Sequence, residues 1–174
     1  MKKIALLGLA LVIALGSLGV GYALWWDDLL IDGIVCTGDI GVEWSIEDYF
    51  DNEAPEKDVS SIEAYFPDLA DPSVMWIDIW NAYPSITYTV AWDLHCTGTV
   101  PVHFAAPMIS GDLPAGAELT FTDEAGNIID WSQVQLHQGD YMYGLLTVHL
   151  DNDALQNECY GFAIYLEYGQ YNEF

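Results

Sequence analysis

Val74-Met75-Trp76-Ile77-Asp78-Ile79-Trp80-Asn81-Ala82-Tyr83-Pro84-Ser85-Ile86-Thr87-Tyr88-Thr89-Val90-Ala91-Trp92-Asp93-Leu94-His95 reads with a period of two on both sides of a turn. In its first half Met75, Ile77 and Ile79 fall on one face, and Val74, Trp76, Asp78 and Trp80 on the other. In its second half Ile86, Tyr88, Val90, Trp92 and Leu94 alternate with Thr87, Thr89, Ala91, Asp93 and His95. Side chains alternate across the two faces of a pleated strand, so this pattern predicts two half-buried β-strands. The turn chemistry of Asn81-Ala82-Tyr83-Pro84 separates them.

The same reading extends outward. Upstream, Ser60 to Phe66 is a strand or a short helix closed by Pro67. Tyr49 to Lys57, rich in Asp, Asn, Glu and Pro, reads as an exposed loop, and Leu29 to Val35 with Ile40 to Trp44 as an opening hairpin. Downstream, Val100 to Phe104, Leu119 to Phe121, Ile128 to Trp131, Met142 to Leu150 and Tyr160 to Tyr168 supply further strands. Pro107, Gly111, Pro114 and Gly116 mark a long loop, and Asp151 to Glu158 carries the only hint of a helical turn. Many short strands punctuated by Gly and Pro predict an all-β fold, an antiparallel β-sandwich of jelly-roll or immunoglobulin-like type.

A hydrophobic helix is expected ahead of it. Lys2 and Lys3 precede Ile4 to Trp26, which contains no charged side chain, and small residues gather from Gly16 onward. That order of charged, apolar and small residues is the pattern of a secretory signal. Gly21 and Ala23 stand where a signal peptidase takes small side chains, so cleavage is expected between Ala23 and Leu24. Residues 1–23 are then the signal peptide and 24–174 one β-sandwich domain. The apolar run is also long enough to span a bilayer, so an uncleaved anchor is the alternative, and the membrane would be met only through it.

Charge narrows the partners. The chain has 27 acidic residues against three Lys and no Arg, a formal net charge of −24. Beyond the N-terminal segment Lys57 is the only cation. Nucleic acid is excluded as a partner by repulsion and by the lack of guanidinium groups. Such a surface attracts cations or basic partners. Yet 52% of residues are hydrophobic and 14% aromatic, so the acidity is not that of a disordered polyanion.

The chain carries no nucleophile elbow, phosphate-binding glycine loop or His-Glu-x-x-His helix, so no enzyme chemistry and no cofactor is expected. Asp93 and His95 share a strand face, and His103 on the following strand could lie across from them as a third Zn²⁺ ligand. Such histidines more often simply meet water. Asp27-Asp28, Asp123-Glu124 and Asp151-Asn152-Asp153, all in turns, suggest Ca²⁺, though none has the spacing of a helix-loop-helix calcium loop. Turn carboxylates usually make local hydrogen bonds instead. Cys36, Cys96 and Cys159 allow three pairings in an oxidising compartment, with Cys96 to Cys159 favoured.

The segment Gly19-Val20-Gly21-Tyr22-Ala23-Leu24-Trp25-Trp26-Asp27-Asp28, followed by Leu30-Ile31-Asp32-Gly33-Ile34-Val35-Cys36-Thr37-Gly38-Asp39-Ile40, resembles the precursor N-terminus of the TasA/camelysin family. Asn81-Ala82-Tyr83-Pro84, His95-Cys96-Thr97-Gly98-Thr99-Val100-Pro101-Val102 and the closing Gln170-Tyr171-Asn172-Glu173-Phe174 resemble further blocks of that family. The resemblance implies a secreted jelly-roll subunit of extracellular fibres or biofilm matrix. It also implies self-association, the freed N-terminal strand filling a groove of the next subunit, with Leu29, Leu30, Ile31, Ile34 and Val35 in the donor. The proteolytic activity ascribed to the camelysin branch is not carried over, because no metal-protease motif is present.

Overall fold

A computed structural model describes residues 2–23, 37–68, 73–114 and 116–170, with side chains between 3 and 17 in the first of these. It divides into two compact units, residues 1–36 and 37–174. In the first, helix α1 runs from Lys2 to Ala23. Its 22 residues rise about 33 Å at 1.5 Å each, and side chains 3–17 are exposed. Counted over the described residues, no helix is long and apolar enough to cross a membrane.

The second unit is built of antiparallel strands. The first sheet holds β1 (Val42–Asp51), β4 (Thr87–Cys96), β9 (Tyr141–His149) and β7 (Glu118–Asp123), in the spatial order β1-β4-β9-β7. The second holds β2 (Ser61–Tyr65), β3 (Val74–Ala82), β10 (Glu158–Tyr165) and β6 (Met108–Gly111), in the order β2-β3-β10-β6. A third joins β11 (Tyr168–Gln170), β5 (Val102–Phe104) and β8 (Gln135–Leu136). The all-β expectation thus holds as antiparallel sheets behind one N-terminal helix.

Period-two patterning explains the core. Met75, Ile77 and Ile79 of β3 are fully buried, as are Tyr88, Val90 and Leu94 of β4. With Leu146, Val148, Phe162 and Ile164 they form one cluster fed by both large sheets. Burying a side chain of this size contributes about 1.5–3 kcal/mol, so the alternating strands carry most of the driving force.

A strap fixes the start of β1 against the end of β4. The N–H groups of Thr97 and Gly98 donate to the Gly41 carbonyl, and those of Thr99 and Val100 to that of Asp39, at 2.8–3.1 Å. The Asp39 N–H returns a bond to Thr99 Oγ1 at 2.9 Å. Gly98 is required here, since a Cβ would lie 2.4 Å from the Gly41 nitrogen and 2.6 Å from the Asp39 oxygen.

Several boundaries differ from the sequence reading. Residues 49–51, expected in a loop, continue β1, because their partners Val90, Thr89 and Tyr88 keep the ladder going. The loop expected around Pro107 contains β6, whose short apolar pair Met108-Ile109 finds partners on β10. Ile128 makes only a single bridge to Thr122, and Trp131–Gln133 is a 3-10 turn, η1, in place of a strand end. Residues 151–158 form turns and the start of β10, with no helix. The first half of the expected opening hairpin, Leu29 to Val35, lies outside the described residues.

Candidate functional site

One concavity among the described residues is organised by a single tryptophan. Asp130 caps η1, its carboxylate accepting from the Ser132 N–H at 3.2 Å and from Ser132 Oγ at 2.7 Å. This local turn folds Trp131 inward, where it is only 8% exposed. Its ring stacks on Trp92 with centroids 5.9 Å apart, and it meets Phe121 edge-on at 5.5 Å and Phe104 at 6.1 Å. Rings from β4, β7 and β5 therefore converge on a residue held by a single capped turn. Aromatic pairs in such arrangements contribute about 0.5–1.5 kcal/mol each beyond their burial.

Around Trp131 lies a hollow of about 770 Å³, walled by Phe104, Ala105, Ala106 and Ile129 with His103, Asp130 and Ser132 at its polar side. A second hollow of about 340 Å³ shares Ile129 and Trp131 and extends past Phe121 and Leu119 to Pro107, Ile109 and Ile128. The two form one apolar trough. Along its far side runs β6, hydrogen-bonded to β10 and exposed at all four of its residues. Met108 is 57% exposed, Ile109 42% and Ile128 77%. Gly111 ends the strand with a φ of +126°, and a Cβ there would meet the Gly161 carbonyl at 2.7 Å. The facing strand β7 is partly covered, because the Ile129 N–H donates to the Phe121 carbonyl and that of Asp123 to the Asn127 carbonyl. An edge strand with open hydrogen-bonding groups beside apolar hollows is a template for a further strand.

The residues singled out from the sequence are distributed as follows. Gly21 and Ala23 end the helical backbone of α1. Leu24 and the five donor residues lie outside the described residues, as do Trp25, Trp26, Asp27, Asp28 and Cys36. The expected bond between Cys96 and Cys159 is not made: both are free, Cys96 buried and Cys159 exposed. Cys96 ends β4, whereas Cys159 follows Glu158, the partner of Ala82, near the opposite end of that strand. The length of β4 is about 30 Å at 3.3 Å per residue, and a disulfide tolerates about 7 Å between Cα atoms.

The zinc candidates are not brought together either. Asp93 and His95 point from β4, whose neighbours are β1 and β9, while His103 belongs to β5 between β11 and β8. Among the described residues no three His, Cys, Asp or Glu side chains gather to hold a metal. Of the calcium candidates among the described residues, Asp123 and Asp151 serve their own turns. Asp123 accepts from the Asn127 N–H at 2.8 Å and from its side-chain amide, which holds its carboxyl below the usual range. Asp151 accepts from the Asn152 N–H at 2.6 Å.

Sequence reasoning placed Phe104, Leu119, Phe121 and Ile128 to Trp131 on strands but missed the trough, because the stretch around Pro107 read as a loop and pattern alone does not show which segments meet. The signals were Met108-Ile109 lodged between Pro107 and Gly111, and the capping pattern Asp130-Trp131-Ser132. No family model, no curated protein and no solved structure matches this chain.

Proposed function

We propose that this chain is a secreted, acidic structural protein of the cell surface, a subunit of extracellular fibres or matrix that assembles by N-terminal strand addition. The observation that carries this reading is β6, an edge strand exposed along its whole length beside an apolar trough. A strand laid against it gains ladder hydrogen bonds from Met108–Gly111 and places alternate side chains in the hollows. Residues 24–35 offer Leu29, Leu30, Ile31, Ile34 and Val35 for that purpose. In this reading the two four-stranded sheets are the layers of a sandwich of jelly-roll or immunoglobulin-like type. The helix directs export, cleavage after Ala23 frees the donor, and the role of the protein is cohesion, not turnover. The resemblance to TasA/camelysin precursors supports the same account.

Copies cleaved after Ala23 keep all 27 acidic residues against Lys57 alone and repel each other, so assembly strengthens as salt shortens the screening length from about 10 Å at 0.1 M to about 3 Å at 1 M. The test is sedimentation and electron microscopy of residues 24–174 across protein concentration at high salt. Polymers are expected, and their loss on removing residues 24–36 or in the Ile109→Asp variant. Ile109 is exposed, so that substitution leaves folding intact. A protein that stays monomeric at high concentration, or polymers indifferent to both changes, overturns the reading.

A further inference from the structure

The outer face of the first sheet, away from the trough, carries a second construction. In the β1–β4 ladder Ile46 pairs with Trp92 and Asp48 with Ala91, leaving Glu47 as the extra residue of a β-bulge. Bulges re-aim side chains and gather at functional sites. This one sets the exposed Glu47 beside Asp93, which is only 6% exposed, and burial first, then Glu47, hold the Asp93 carboxyl above its usual range.

Aromatic rings border this pair. Asp93 is opposite Tyr143 on β9, and His95 opposite Tyr141. His95 and Tyr141 stack at 4.0 Å with planes within 4°, and Tyr143 lies parallel to Tyr141 within 10° at 6.1 Å. Tyr141 and Tyr143 remain 53% and 44% exposed. Tyr143, Glu47 and Glu124 line a hollow of about 340 Å³ floored by Gly144 and Trp92. Glycine is needed at 144 by the core side of the sheet, where a Cβ would meet the buried Trp92 ring at 2.4 Å.

We propose that this bulge-centred face binds a glycan chain bearing free amino groups. Tyr141 already stacks on His95 and lies parallel to Tyr143, so Tyr143, which lines the hollow, is the ring that offers a face to the apolar C–H side of a pyranose. The carboxyl pair engages hydroxyls in charge-assisted bonds. The charge selects the sugar: Glu43, Glu47, Asp93 and Glu124 surround the rings, and the chain has three basic residues against 27 acidic ones. Polyuronates and sulfated glycans are repelled, whereas protonated amino sugars meet both the carboxylates and the ring faces.

The test is titration of the protein with a glucosamine hexamer at 0.15 M salt, read by tryptophan fluorescence and calorimetry, with its N-acetylated counterpart and hexalysine as comparators. Saturable binding of the glucosamine hexamer is expected, weakened about tenfold or more by Tyr143→Ala and also by Glu47→Gln. Both side chains are exposed, and near-UV circular dichroism checks that each variant is folded. The acetylated hexamer, retaining shape but not charge, is expected to bind more weakly than the free amine. Absence of saturable binding overturns the proposal. So does hexalysine binding as tightly as the sugar with Tyr143→Ala without effect, since attraction would then be charge alone.

Discussion

The hydroxyl of Tyr88, buried in the first sheet, donates to Ser60 Oγ at 3.1 Å just ahead of the first strand of the second sheet. The bond ties the two large sheets together through an otherwise apolar core. Burial pushes the Tyr88 phenol up to about 12 in spite of that bond. A phenol whose pKa is raised on folding contributes stability that is complete below its unfolded value near 10 and is lost as pH rises through the folded one.

Tyr88→Phe is therefore expected to cost about 1–2 kcal/mol, because Ser60, 3% exposed, keeps a buried hydroxyl without its donor. Urea denaturation at neutral pH measures this. Ultraviolet titration of the wild type should leave one tyrosine un-ionised until close to pH 12 or until unfolding. A variant as stable as wild type would mean that water replaces the lost donor.

Asp93→Asn tests the carboxyl pair on the outer face. Burial first, then the hydrogen bond and charge of Glu47, with a smaller contribution from Glu43, raise the Asp93 pKa against the opposing pull of His95. The groups facing it are Ser45, Glu43 and Glu47 from β1, Tyr143 from β9 and His95 on its own strand. Because the folded state holds this proton more tightly, its contribution is complete below the unfolded value near 3.8 and falls as pH rises through the raised folded pKa. The asparagine variant should be more stable than wild type at pH 7, by roughly 1 kcal/mol for a hydrogen bond kept without the second charge. Its advantage should shrink in thermal melts taken toward pH 3.

Gly98→Ala is expected to loosen the strap between residues 39–41 and 97–100. The new methyl meets backbone, which cannot rotate away, so the cost falls in the range of about 1–3 kcal/mol typical of overpacking or above it. Amide hydrogen exchange should speed up first at Thr97, Thr99 and Val100, whose N–H groups make the strap.

Trp131→Ala removes the hub of the aromatic cluster. A loss of about 3–5 kcal/mol is expected, as for other buried aromatic truncations, together with a change in the near-ultraviolet circular dichroism arising from the stacked Trp92–Trp131 pair. A loss below about 1 kcal/mol would mean that the trough closes over the gap.

The central strands were legible in the sequence because their patterning is unambiguous. Val74 to Ala82 and Thr87 to Cys96 bury the residues that alternate inward, and Ser60 to Phe66 resolves to strand because Ile62 and Ala64 are its buried pair. What was not legible depends on partners distant in the chain. Met108-Ile109 is too short to show a period, and only β10 makes it a strand. The aromatic trough joins residues from four separate elements, and the Glu47–Asp93 pair exists only because a bulge rotates one side chain by a residue. That Asp39 and Gly41 bond the segment from Thr97 to Val100, far along the chain, was not legible either.

Lys57 holds its ammonium 3.8 Å above the ring of Tyr83, and with no arginine in the chain it is the last basic side chain before residue 174. A trypsin-like protease, which must seat lysine or arginine in an acidic specificity pocket, is therefore offered one bond past the N-terminal pair, and that lysine is already engaged by an aromatic face. All the sheets from β2 onward contain no cut site of that kind. The same scarcity of lysine and arginine that sets this protein's electrostatics thus leaves residues 58–174 without a bond that this class of protease cuts.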